Sequence, residues 1–275
     1  MFRTEIIRIP ILPLGMVNAH LIRSEAACIL VDAGIPGSER KIARVLARHG
    51  VSFRDIKLII VTHAHTDHAG SAARLRALSG APILAHEDDA DFYSRKAPMT
   101  FCPTGGFGRL FLKTPLPHEP YEGFQPDIMM RNGETVNLLN FGVDGVVRHT
   151  GGHTPGSIAI ELASQDVLVG DLIASGILMG GIAFRGRAIR PPFEDDPHKV
   201  ARELERLVQR GANRFHMGHG GPLAADEVKR HAQRLATVVG ETCREAHCVH
   251  PSHGTQLRPE KGQSGNGAEV GLSTK

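Results

Sequence analysis

Residues 57–70 read KLIIVTHAHTDHAG. An apolar run of strand length passes directly into His63, His65, Asp67 and His68. KLIIVT is a buried strand, and the chain stays extended just beyond it. In extended chain, residues two apart face the same way, so His63 and His65 point at one centre. Asp67 and His68 follow where the chain turns toward a helix starting near Ser71, and they aim at a second centre beside the first. Ala64, Thr66, Ala69 and Gly70 are small enough to allow the crowding. Four such groups at a strand end are costly to desolvate without a partner. A divalent cation is a partner that suits neutral imidazole and carboxylate together, with Zn, Fe, Mn or Co as candidates.

Short apolar strands alternate with amphipathic helices along the rest of the chain, which is an α/β pattern. Strands are expected at 4–9, 18–23, 27–32, 57–62, 83–86, 145–149, 157–162 and 167–170. One helix runs between a capping Ser38 and a stop at Gly50. A second has Asp196 as cap, Pro197 in its first turn and Gly211 as stop. A third begins near Ala225, with Val228, Ala232, Leu235 and Val239 on one face. The 275 residues, 41% hydrophobic and 22% charged, fit a globular domain. No apolar run is long enough to span a bilayer, and the first residues read as an early strand, so no secretory signal is expected. The net charge of +3 is too weak to argue for nucleic acid. Cys28, Cys102, Cys243 and Cys248 form no CxxC pair, so reduced thiols and a cytoplasmic setting are expected.

Two segments break the pattern. Residues 88–125 are rich in Pro, Gly and aromatics and form a lid-like insertion, in which Phe107 and Tyr121 are candidate substrate contacts. Residues 250–275 are polar, without periodicity, and read as a disordered tail behind a single domain over 1–249. Further candidate ligands each follow an apolar strand. His153 lies in VVRHTGGHTPGS, Asp171 in DVLVGDLIASG and His219 in NRFHMGHGGPL. Such positions, at the carboxyl ends of strands, are where open α/β sheets place their sites.

The order HxHxDH, then His in GGHTPGS, Asp in VGD and His in MGHGG resembles the metallo-β-lactamase fold superfamily of metallohydrolases. The resemblance covers nearly the whole chain to about residue 245. It implies a four-layer αββα sandwich with the site at one edge between two sheets. It assigns His63, His65 and His153 to a first metal and Asp67, His68 and His219 to a second, with Asp171 bridging. Asp32, in LVDAG, matches a family position near the site; it stands behind the ligands or serves only its turn. The expected cofactors are two divalent ions, zinc first, with iron or manganese as alternatives.

Two ions about 3.5–4 Å apart can share a hydroxide at neutral pH, which attacks a carbonyl carbon while Asp67 orients the water or returns a proton. Asp67 and Asp171 are thus the candidate catalytic residues of a hydrolase acting on an ester-like bond, a thioester or lactone. The alternatives are a β-lactamase-type amide hydrolase and a mononuclear iron persulfide dioxygenase. The helical glutathione-gripping domain of glyoxalase II is not evident. Ala174 stands where the similar lactonases carry tyrosine, and the run after Asp171 lacks the GRTDF-like signature of the dioxygenases. That run carries Arg185, Arg187 and Arg190, and Arg187 is a candidate partner for an acidic substrate group, against the alternative of a solvated loop. The expected partner is a small molecule with an apolar portion, with no nucleic acid and no membrane; a homodimer is compatible with the sequence. The group Cys243, His247, Cys248, His250 and His253 matches no standard zinc spacing and reads as helix end and tail. His149 is either a support for the site or a strand end, and Cys28 is a core residue.

Overall fold

The computed structural model describes residues 4–177, 179–180 and 183–238. The first sheet is built from β1 (Glu5–Pro10), β2 (Asn18–Arg23), β3 (Cys28–Val31), β4 (Ile56–Ile60), β5 (Ile83–His86) and β6 (Ile128–Met130), in that order. Its first two pairings are antiparallel and the remaining three parallel. The second sheet holds β7 (Thr135–Asn137), β8 (Gly145–His149), β9 (Ile158–Leu162), β10 (Asp166–Leu168), β13 (Arg214–His216) and β14 (Leu223–Ala224). Its order is β14-β13-β10-β9-β8-β7, parallel only between β10 and β13. Apart from these sheets, β11 (Ala174–Ser175) and β12 (Ala188–Ile189) pair as a small antiparallel ribbon.

Side-chain alternation decides the layering. On β3 and β4, Ile29, Val31, Leu58 and Ile60 face Val147, Ile158, Ile160 and Leu168 of the other sheet in one buried cluster. The alternate residues Leu30, Ile59 and Val61 pack outward with Ile42 and Leu46 of α1 (Glu39–Arg48). After the single turn α2 (Thr66–Ala69), Ala72 and Leu75 of α3 (Ala72–Ser79) join the same outer layer. The insertion contributes α4 (Ala90–Tyr93) and α5 (Gly105–Phe111). On the far side, Val167 and Phe215 meet Val200, Leu204 and Leu207 of α6 (Pro197–Gln209) and Val228, Ala232 and Leu235 of α7 (Ala225–Leu235). Helices outside, two sheets inside, is the expected αββα sandwich.

The helix signals hold in part. Asp196 accepts from the Lys199 N–H at 2.9 Å, with Pro197 in the first turn. Ser38 stands before α1 but gives it no side-chain cap; its own N–H donates to Ser71 Oγ at 2.9 Å, tying α1 to the loop before α3. The insertion is more regular than its Pro and Gly content suggests. The reading of four reduced thiols needs correction. Cys28 is a buried free thiol, but Cys102 is disulfide-bonded; linear spacing is silent on pairing set by the fold, and the argument for a reducing compartment goes with it. Val239, the Cys243–His253 group and the tail lie outside the described residues. Among the described residues, no helix is long and apolar enough to cross a membrane.

Leu58 is fully buried in the layer between the sheets. Leu58→Ala is expected to cost about 2–5 kcal/mol, read as a lowered midpoint in denaturant unfolding with an unchanged slope.

Candidate metal centre

Three nitrogens meet where β4 and β8 end. His63 Nε2 lies 3.1 Å from His65 Nδ1, and His153 Nε2 lies 3.2 Å from the first and 3.1 Å from the second. The rings stand edge-to-face, at 82° to 88°, so their in-plane lone pairs converge rather than run side by side. A tetrahedral cation with bonds of about 2.0–2.1 Å holds its nitrogens roughly 3.3 Å apart, close to this triangle. The two-residue alternation read from the sequence is what aims His63 and His65 together.

Beside this triangle stands a second set. Asp171 Oδ2 lies 2.8 Å from His219 Nε2 and 3.9 Å from His153 Nε2, so it reaches both groups. Asp67 Oδ2 is 3.4 Å from His219 Nε2 and 3.9 Å from His68 Nε2. His68 Nε2 and Asp171 Oδ1 face one another at 3.4 Å, both buried and with no hydrogen-bond partner in the protein. Buried polar atoms are ordinarily paired, and a divalent ion between them would satisfy both. All seven residues therefore sit in groups whose donor atoms lie within 4.8 Å of one another. Gly218 leaves the space: a Cβ there would stand 2.2 Å from His68 Cε1 and 2.3 Å from Asp171 Oδ1.

Three of the rings, those of His63, His68 and His219, are aimed by their other nitrogens, as metal-ligating histidines usually are, whereas His153 Nδ1 is buried without a partner in the protein. His68 Nδ1–H donates to Asp32 Oδ2 at 2.9 Å. Thr62 Oγ1 donates to the same oxygen at 3.1 Å and accepts from His63 Nδ1 at 3.0 Å. Asp32 Oδ1 takes the Thr62 N–H at 2.8 Å. Asp32 thus orients one ring of each set, which settles the open reading of that residue. His219 Nδ1 donates to the Met16 carbonyl at 2.5 Å. Asn18 holds the same loop, its Nδ2 donating to Gly15, Gly218 and Gly220 carbonyls. Asn18 carries no motif, and its place at the start of an apolar strand gave no signal.

The electrostatics split the histidines. Burial and then the neighbouring rings hold His63 well below its ordinary pKa; burial foremost takes His65 and His153 to about 3. These three are neutral donors at neutral pH. Burial would also lower His68 and His219, but Asp171 and the other carboxylates outweigh it, keeping His68 high and lifting His219 to about 9. Burial would raise Asp171, yet His219 and His68 draw it well below the usual carboxylate range. Opposite charge prevails over desolvation where acid and imidazole touch.

A further grouping of His86, Asp88 and His149 differs in kind. Its two rings stack at 3.8 Å, 14° from parallel. Their lone pairs lie in separate planes and do not meet on one ion. His149 Nε2 donates instead to the Pro155 carbonyl at 2.7 Å.

A cavity of about 300 Å³ opens onto the centre, touching His65, Asp67, His153, Asp171 and His219. Its other walls are mostly apolar, Leu12, Met16, Val17, Phe101, Phe111 and Phe193 among them, with Thr66 and Glu119 as polar members. Phe101 stacks on the His65 ring at 5.2 Å and meets Phe193 at 4.8 Å with the rings tilted by 54°, and Phe193 stacks on Phe111 at 5.8 Å. The insertion thus supplies part of the wall, through residues other than those singled out. Phe107 is about half exposed and packs on the outside of Phe111 at 5.9 Å. Tyr121 turns its hydroxyl to the Ala64 carbonyl at 3.1 Å, behind the ligand loop. Arg187 lines a separate surface concavity with Glu227, Arg230 and Arg234, and Arg190 is paired with Glu194 at 2.8 Å. None of the three candidate substrate contacts lines this cavity. Enrichment marks a segment, but not the side of it that faces inward.

Residues 12–219 match the family model described as the metallo-beta-lactamase superfamily. A metal-dependent hydrolase of Pyrococcus horikoshii is 29% identical over 219 residues, covering 77% of this chain and 87% of its own. A hydroxyacylglutathione hydrolase of Pseudomonas paraeruginosa is 31% identical over 68% of this chain, a match spanning 54% of that protein. The solved structure of a metallo-beta-lactamase family protein from Thermus thermophilus superposes with a TM-score of 0.59 at 25% identity, over 84% of this chain and 78% of that one. Sequence, layering and converging donors agree: the chain belongs to the metallo-β-lactamase superfamily.

Proposed function

We propose that this metal-dependent hydrolase cleaves an ester-like bond, a thioester or a lactone, at a pair of divalent ions, and that its substrate carries an uncharged apolar acyl portion. The observation that carries the reading is the juxtaposition of the seven-residue donor cluster with an apolar cavity. His63, His65 and His153 would hold one ion and Asp67, His68 and His219 the other, with Asp171 reaching both. Ions so held supply Lewis acidity that activates water near neutral pH and stabilises a developing oxyanion. No serine or cysteine nucleophile is required.

The chain's own groups do the rest. Asp67 is the most open of the ligands, its side chain 25% exposed, and it borders the cavity. It is placed to orient an incoming water and to hold its proton for the leaving group. Asp171 is buried between His68 and His219 and keeps a fixed negative charge there. Phe101, Phe111 and Phe193 exclude water from the acyl side and offer it apolar surface. Among the described residues lining the cavity, Glu119 is the one ionisable group outside the donor cluster, and no Lys or Arg is present. That favours an uncharged acyl group over an acidic one. The hydroxyacylglutathione hydrolase among the relatives supports a thioester as the bond; the cavity supports a carrier other than one gripped through its carboxylates.

His65→Ala and Asp171→Ala are each expected to lower bound metal and to cut turnover at least about a hundredfold, the upper end of what outer-shell changes cost. Elemental analysis beside an assay on thioesters, lactones and β-lactams reads both. Full metal content and full activity in either variant reject the cluster as the working centre. In protein purified without added metal, two zinc per chain with thioester or lactone turnover agrees with the reading; one iron per chain and no hydrolysis rejects it.

Phe111→Ala is expected to raise KM about tenfold for a long-chain acyl substrate and to leave an acetyl substrate nearly unchanged. Steady-state kinetics on an acyl-length series checks this, and equal effects at every length contradict the assignment of the aromatic wall.

A further inference from the structure

We propose that Asp89 is a positioning residue that sets the spacing of the His63–His65–His153 site, acting on these ligands through the loops that carry them. The inference rests on the paired-metal reading and goes beyond it, since Asp89 belongs to none of the donor groups. Asp89 follows β5 and is completely buried. Its Oδ2 accepts from the Ala64 N–H at 3.0 Å and from Thr154 Oγ1 at 2.9 Å. Its Oδ1 accepts from the Gly156 N–H at 2.8 Å. Ala64 lies between His63 and His65, and Thr154 follows His153.

One carboxylate therefore joins the loop that ends β4 in the first sheet to the loop between β8 and β9 in the second. The approach is close. A Cβ on Gly156 would stand 2.7 Å from Asp89 Cγ, so a side chain at 156 would push the loop off the carboxylate. Three donors on one buried carboxylate make a stiff joint, because charge-assisted hydrogen bonds are shorter and stronger than neutral ones.

The other site is held differently. His68 is aimed by Asp32 and His219 by the Met16 carbonyl. Loosening Asp89 should accordingly act on one site and spare the other, whereas a general loss of structure would weaken both. Asp89→Asn keeps the shape but turns one acceptor into a donor facing donors. Thr154→Val removes the bond to Asp89, along with a short contact to Ser157 Oγ within the same turn, and leaves the carboxylate in place.

The test is a zinc titration of the full chain, stripped of metal and in competition with a chromophoric chelator. Wild type is expected to take up two ions. In Asp89→Asn and in Thr154→Val one dissociation constant should rise about 10–100-fold, the range for groups supporting a ligand, while the other stays within about twofold. Repeating the titration in a His219→Ala background, which removes a ligand of the second site, should show the same rise in the remaining constant. Equal weakening of both sites, or no change in either with Thr154→Val, overturns the proposal. Should Asp89→Asn fail to fold, Thr154→Val alone decides by the same criterion. A wild type that binds a single ion refutes the paired-metal reading instead, and the role of Asp89 is then decided by whether that ion's constant rises in Thr154→Val.

Discussion

Desolvated charge at the seam between two sheets is the constraint on which the rest depends. His63, His65, His68, His153, Asp171 and His219 are all nearly or wholly buried, and most of their donor atoms lie 2.8–3.9 Å from one another. Apolar packing alone would not gather such groups, because buried ionisable side chains need compensation. The carboxylates compensate part of it, as the opposite displacements of His219 and Asp171 show. Atoms such as His68 Nε2 and Asp171 Oδ1 remain without hydrogen-bond partners in the protein, and their chemistry is that of hard and borderline metal ligands.

The supporting layer follows from the same constraint. A ring that must present one nitrogen to a fixed point is steadied when its other nitrogen is tied. Asp32, Thr62 and the Met16 carbonyl tie His68, His63 and His219 in this way. Asp32 adopts a positive φ of 64°, a backbone conformation that non-glycine residues seldom take. The sharp turn after β3 that brings its carboxylate under two rings is the local cause. Around this polar core the apolar wall does the opposite work, keeping water off whatever lies against Phe101, Phe111 and Phe193.

Legibility in the sequence followed the range of the interactions. The strands in the middle of each sheet could be read because a continuous apolar run is a local property, and β2, β5 and β8 lie where it placed them. The three-residue strands β6 and β7 escaped because pairing with a neighbour defines them, not their own composition. The seven donors were visible because spacing and strand ends are local, and the family resemblance then assigned them to sets. What stayed hidden depends on distant partners: Asn18 reaching Gly218, Asp89 reaching Gly156, and Phe193 meeting Phe101. Ser38 shows the same limit from the other side, since a serine at a helix start can serve a distant loop rather than its own helix.

His63 and His65 come from the end of a strand in one sheet, whereas His153 comes from a turn between strands of the other. An ion gripped by all three is thus a rivet through both halves of the sandwich. Its affinity is added to the cohesion of the fold, since whatever binds the native chain alone shifts the unfolding equilibrium. Starvation for the ion would then do more than empty the centre: it would let the two halves part more readily along the edge where the cavity opens.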